Sequence, residues 1–273
     1  MGGVMRKAFF IFLALIMLGG TLLADISAKT MKKVDSATCA ITSYFEITET
    51  QWNQGRLEKG GIGHPLITVP LGKAQDSPKY VVAYIGAGTL LGDNYILTVR
   101  HMIKDESGQD ANHVYAIFEG IDHAIGCNVI AVSEGKEFCD DYAVLQLKED
   151  IRRQGLKIAK HEFKHGEWVI FSGSTGGLAF WTRIGHAVDL KHYFFRDENT
   201  GILHLGFWEN FYFLTVYPGG PGDSGGSIKN KDGEIIGLMY CGISLYDEQY
   251  IFSNPLWMLK TFLQSNGLWF LVE

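Results

Sequence analysis

The sequence predicts an all-β protein that ends in a short C-terminal helix. Three observations predict it. There are 33 glycines against 6 prolines, so tight turns are plentiful. Short apolar runs rich in aromatic and β-branched residues recur from Tyr80 onward. Two of the breaks between such runs carry hairpin chemistry, Gly92-Asp93-Asn94 and Asn230-Lys231-Asp232-Gly233. The 273 residues are 47% hydrophobic, enough for one large core or two smaller ones, which excludes a disordered chain. The 24 basic and 30 acidic residues are scattered and give a formal charge of −6. Without a basic excess or stripe, no nucleic-acid partner is expected.

The first segment reads as an export signal. Arg6 and Lys7 precede an unbroken apolar run from Ala8 to Leu18, followed by small residues up to Ala24. Cleavage is expected after Ala24 or Ala28, so residues 1–28 are set apart from a domain over 29–273. The rival reading is a retained membrane anchor, but Ala8 to Ala24 is shorter than the ~20 apolar residues a spanning helix needs. Contact with a membrane is expected only if this segment is retained. Export, to a periplasm or to the medium, would permit disulfides. Cys39, Cys127, Cys139 and Cys241 allow three pairings, and free buried thiols are an equal alternative. No close Cys pair or Cys/His spacing suggests a metal, and no cofactor is expected.

The strands follow in order. Tyr80–Ile85, Tyr95–Val99, Val114–Phe118 and Tyr142–Leu147 come first, then Trp168–Phe171, Phe211–Val216 and Glu234–Tyr240. Thr38 to Thr48 reads equally as strand or helix. Lys148 to Glu167 is charged, lacks alternation and could join two halves. Only the end looks helical: Asn254 can cap, Pro255 suits the first helical position, and Leu256, Leu259, Lys260 and Leu263 space as one face.

The strongest chemical signal is Pro221-Gly222-Asp223-Ser224-Gly225-Gly226-Ser227. A serine hydroxyl is a poor nucleophile until a base takes its proton. Flanking glycines let the chain turn sharply, so that the N–H groups of Gly222 and Ser224 can point at a developing oxyanion. Taken alone, the string could be an ordinary glycine-rich turn. His101 is the candidate base, because it follows a hairpin and an apolar strand and so sits at a strand end. Asp141 opens the apolar run Tyr142–Leu147, where a half-buried acid can orient a histidine. Its neighbour Asp140, one step of strand register away, is the alternative.

These pieces together resemble the chymotrypsin-like (trypsin-like) serine peptidases, especially the bacterial HtrA or Deg type without a PDZ domain. Gly86-Ala87-Gly88-Thr89-Leu90-Leu91 and Tyr95–Thr98 precede His101; Asp141-Tyr142-Ala143-Val144-Leu145 follows. Gly166-Glu167-Trp168-Val169 runs on to Gly173 and Gly176-Gly177, and then come Gly222-Asp223-Ser224-Gly225-Gly226 and Gly233-Glu234-Ile235-Ile236-Gly237. The chain order His, Asp, Ser is that family's. The resemblance implies two antiparallel β-barrels, a chymotrypsin-like double barrel, at about 65–150 and 165–253, with the helix at about 255–265. It implies an exported endopeptidase that forms an acyl-enzyme on Ser224, with protein or peptide substrates. By the same alignment Pro218 floors the pocket for the residue before the cut, and Tyr240, Cys241 and Gly242 form its far wall. Pro218 carries no charge, which favours small or apolar residues there.

Some residues depart from the family pattern. Arg100 replaces a small residue before the histidine, Ser227 replaces a proline, and Asp223 has no evident partner. Two other functions stay open at this point: a catalytically silent or regulated protein that binds peptides or unfolded chains, and a small-molecule esterase using the same triad.

Overall fold

The computed structural model describes residues 26–47, 68–70, 80–105, 108–135, 140–164, 166–177, 179–189, 192–196, 203–207, 212–215, 220, 222–245 and 248–272. The strands fall into two groups. In the first, β1 (Thr38–Ile47), β2 (Thr68–Pro70), β3 (Tyr80–Leu91), β4 (Tyr95–Thr98), β5 (His113–Phe118), β6 (Ile125–Val132) and β7 (Ala143–Leu147) form one antiparallel sheet in the order β1-β5-β6-β7-β4-β3-β2. Because β1 also pairs with β3 along its whole length, from Thr38↔Thr89 to Ile47↔Tyr80, six of these strands close on themselves.

The second group is a closed barrel. Its members are β8 (Trp168–Thr175), β9 (Ala179–Asp189), β12 (Tyr212–Thr215), β13 (Ser227–Lys229), β14 (Ile235–Leu245) and β15 (Glu248–Ser253), in the order β12-β15-β14-β13-β8-β9. The strands β10 (His192–Arg196) and β11 (Leu203–Phe207) pair as a separate two-stranded sheet. The expected all-β double barrel is therefore the fold.

Both expected hairpins form. Gly92 turns β3 into β4 at φ 62°, and Gly233 turns β13 into β14 at φ 79°. These left-handed angles cost a glycine little.

Several expectations need correction. Thr38 to Ile47 is strand, so the first sheet starts well before residue 65. A helix the sequence did not announce, α1 (Ala28–Ala37), precedes it. Ser27 caps α1 by accepting the Thr30 N–H at 3.0 Å, and Val34 and Ala37 are buried. The terminal helix α2 (Leu256–Ser265) has Pro255 at its cap position, with no side-chain cap. Asn254 instead belongs to the sheet edge, its N–H donating to Leu238 O at 3.2 Å. The buried face of α2 is Leu256, Leu259, Phe262 and Leu263, and Lys260 leaves it to reach Lys160 O.

The core runs through both halves, from Ile41, Leu90 and Leu97 in the first to Ile170, Phe171 and Leu238 in the second. A buried polar seam joins them. Thr38 Oγ1 meets Ser172 Oγ at 2.7 Å, and Thr89 Oγ1 meets Ser227 Oγ at 2.5 Å. The fully buried Lys229 Nζ donates to Ser172 Oγ and to Ser227 O. Burial holds this amine well below the ordinary lysine range, against a small opposing pull from Asp35.

Cys39 and Cys127 are free buried thiols. Burial raises both, Cys127 to about 12. Cys139 lies outside the described residues, as does the side chain of Cys241. No helix among the described residues is long and apolar enough to cross a membrane.

Candidate active site

The site is assembled at the strand ends where the two halves meet. Strand β4 stops at Thr98, whose hydroxyl donates to Ala87 O at 2.7 Å. A single 3-10 turn, Arg100–Met102, then swings His101 off the strand while Met102 is buried beneath it. Asp141, just before β7, takes hold of His101 at two points. Its Oδ2 lies 2.6 Å from Nδ1, and its Oδ1 accepts the His101 backbone N–H at 2.9 Å. A carboxylate on Nδ1 favours the tautomer with the proton there, which leaves Nε2 as a lone-pair acceptor. Nε2 is buried and has no hydrogen-bond partner among the described residues.

Asp140 does a different job. Its carboxylate accepts the Gly135 N–H at 2.9 Å, and its carbonyl accepts the Ser133 hydroxyl at 2.8 Å. It therefore folds the loop that delivers Asp141. Arg100 belongs to this loop as well: a Cβ on Gly135 would sit 2.8 Å from the guanidinium carbon. The Arg100 guanidinium therefore packs against Gly135 of this loop.

Ser224 sits half-buried in a turn whose glycines adopt angles closed to other residues, φ 100° at Gly222 and φ 88° at Gly225. The turn is fastened to both halves. Ser224 O accepts the Ala87 N–H at 2.7 Å, and the Gly225 N–H donates to Met239 O at 2.9 Å. Contact with the first half leaves no room for side chains. A Cβ on Gly86 would lie 2.6 Å from Met102 Sδ and 2.8 Å from Ser224 O. A Cβ on Gly225 would lie 2.2 Å from Ala87 O and 2.4 Å from Thr98 Oγ1. The serine backbone and the turn bearing His101 thus flank the same glycine.

The Ser224 hydroxyl is not hydrogen-bonded to Nε2 in this structure. Such contacts are commonly long in ligand-free enzymes. The N–H groups of Gly222 and Ser224 have no hydrogen-bond acceptor among the described residues, as donors reserved for a ligand would require.

Asp223 has partners after all, and sequence reasoning missed them. Its carboxylate is buried against β8 and β9. Thr175 Oγ1 lies 2.9 and 3.1 Å from the two oxygens, Trp181 Nε1 donates at 3.0 Å, and the Gly220 N–H donates at 2.7 Å. Burial raises the Asp223 carboxyl above its ordinary value; the Gly220 N–H, Thr175, Trp181 and the charge of Arg183 oppose that rise. The only sequence trace of this arrangement is Gly173. A Cβ there would stand 2.8 Å from Asp223 Oδ1 and 3.2 Å from Trp181 Cζ2. Ser227, in place of a proline, supplies the hydroxyl that meets Thr89 across the seam.

Of the expected substrate residues, Pro218 lies outside the described residues. Tyr240, Cys241 and Gly242 lie on β14 directly after Met239, whose N–H and C=O bind Gly226 and Gly225. Strand β14 therefore runs on from the serine turn, with a register shift between Met239 and Cys241. Among the described residues no cluster of His, Cys, Asp and Glu could hold a metal.

Comparison with known proteins agrees with this fold. A family model described as "Trypsin-like peptidase domain" matches residues 86–238. The Rv3671c protease of M. tuberculosis in its active form is similar in structure, with a TM-score of 0.56, 16% identity, and 87% of this chain and 84% of that one covered. The HtrA-type protease AlgW with a decapeptide is similar with a TM-score of 0.57 and 16% identity, over 88% of this chain and 67% of that one. Among curated proteins no relative matches.

Proposed function

The chain belongs to the trypsin-like peptidase family, and on that premise we propose that it is a serine endopeptidase working through His101, Asp141 and Ser224. The single observation that carries the triad is the two-point grip of Asp141 on His101. It leaves Nε2 with a lone pair that can take a proton.

Nε2 takes the Ser224 proton as Oγ attacks the scissile carbonyl. The tetrahedral oxyanion is received by the N–H groups of Gly222 and Ser224. The C–N bond breaks, and the imidazolium gives its proton to the leaving amine. A water then repeats the attack on the acyl group, loses its proton to Nε2, and Ser224 leaves as the free alcohol. Asp141 stabilises the imidazolium throughout without taking the proton.

The substrate lies along Tyr240–Gly242, and small or apolar residues before the cut follow from the uncharged Pro218. Export is part of the same proposal. Cleavage after Ala24 keeps the Ser27 cap on α1, whereas cleavage after Ala28 removes it.

The test is hydrolysis of casein and of peptide amides. The wild-type protein should cleave them, and Ser224→Ala should abolish cleavage while leaving binding of the same peptides. Cleavage that survives the substitution refutes the assignment. The unpartnered Nε2 favours one second reading, a silent protein that binds peptides. That reading requires no turnover in either form.

A further inference from the structure

We propose that Thr175 and Trp181 are positioning residues that clamp the Asp223 carboxylate and so hold the Gly222–Gly225 turn in its reactive shape. The inference rests on the reading of Ser224 as the nucleophile.

Asp223 is 1% exposed, and it lies between the two residues offered as oxyanion donors. Its side chain points away from them into the second barrel, where it is held by neutral donors. The Trp181 indole N–H reaches both Thr175 Oγ1 at 2.7 Å and Asp223 Oδ1 at 3.0 Å. Thr175 accepts from the indole and donates its own O–H to the carboxylate. The Gly220 N–H closes the ring on Oδ2. Charge-assisted bonds of this type are stronger than neutral ones.

The surroundings fix the clamp as firmly as its bonds. Trp181 on β9 stands directly opposite Gly173 on β8. The missing side chain at Gly173 is the space in which the indole and the carboxylate meet. The indole ring packs 4.7 Å from the Phe171 ring, and the Arg183 guanidinium lies 4.7 Å above it. The far side of the turn rests on the same barrel: a Cβ on Gly222 would be 2.5 Å from Gly176 N. Every hydrogen-bond partner of the Asp223 carboxylate among the described residues comes from the second barrel or from Gly220 beside the turn. The turn is thus tied to the wall of the second barrel through the Asp223 carboxylate.

The test compares the wild-type protein with Thr175→Val, Thr175→Ser and Trp181→Phe. Phenylalanine removes the donor and keeps one aromatic ring towards Phe171 and Arg183, and the thermal melt reports what the lost second ring costs. The readouts are kcat and KM for a peptide amide, the rate of fluorophosphonate labelling at Ser224, and the thermal melt.

Thr175→Val and Trp181→Phe should each lower kcat and the labelling rate together, by about tenfold or more. KM should stay within about twofold, and Thr175→Ser should restore both rates. Wild-type labelling rates in a folded Thr175→Val or Trp181→Phe protein overturn the inference, as does a change confined to KM. Loss of the cooperative melt along with activity also counts against it, since the role is local. A wild-type protein that takes no label at Ser224 overturns the nucleophile reading first, so the two failures are distinguishable.

Discussion

Asp141 binds His101 through both carboxylate oxygens, and Asp140 binds only its own loop. Asp141→Asn should therefore lower kcat by about 10⁴, the scale at which a wrong histidine tautomer costs activity. Asp140→Asn should leave kcat within a few-fold, and steady-state kinetics on one peptide separates the two. Gly86 gives a second test at this scale. A methyl there meets Met102 Sδ and Ser224 O below 3 Å, so Gly86→Ala should cut kcat well before it lowers the melting temperature. The three residues of the proposed triad stood out as candidates in the sequence because each sits beside a strand with a clear pattern. The clamp on Asp223 could not. Thr175 and Trp181 are 48 and 42 positions away, and they meet Asp223 only through strand register and a missing side chain at Gly173.

Strands and hairpins follow from local chemistry, which explains why Gly92 and Gly233 turned where expected. The helix α1 escaped notice because its mean polarity is high and only Val34 and Ala37 are buried. Tertiary packing rather than pattern stabilises so short a helix. The short strand β13 holds the fully buried Lys229. Its value in the folded chain lies below the ordinary 10.5. Between those two values the unfolded chain binds one more proton, so unfolding free energy rises with pH. The contribution is complete above the ordinary value and is lost as pH falls through the folded one. Denaturant melts taken from neutral pH to about pH 10 should show this rise, up to ~1.4 kcal/mol per pH unit. Lys229→Met should flatten it, and an unchanged slope would contradict the assignment.

The proposed triad spans two barrels, so the seam between them matters to the whole molecule. Removing one hydroxyl of the buried Thr89–Ser227 pair leaves its partner unsatisfied, which costs ~1–3 kcal/mol. A double-mutant cycle of Thr89→Val and Ser227→Ala should show favourable coupling of ~0.5 kcal/mol or more; additive effects would contradict the contact. The two-barrel architecture was foreseen through family resemblance, because strand runs alone do not say how a sheet closes. The proposed chemistry requires that His101 activate Ser224. Intact-mass and peptide-level mass spectrometry after fluorophosphonate treatment tests this most directly, with wild-type protein beside His101→Ala. One adduct should form on the peptide containing Ser224, at a rate at least ~10³ higher in the wild type. An adduct elsewhere, or equal rates in both proteins, would contradict it.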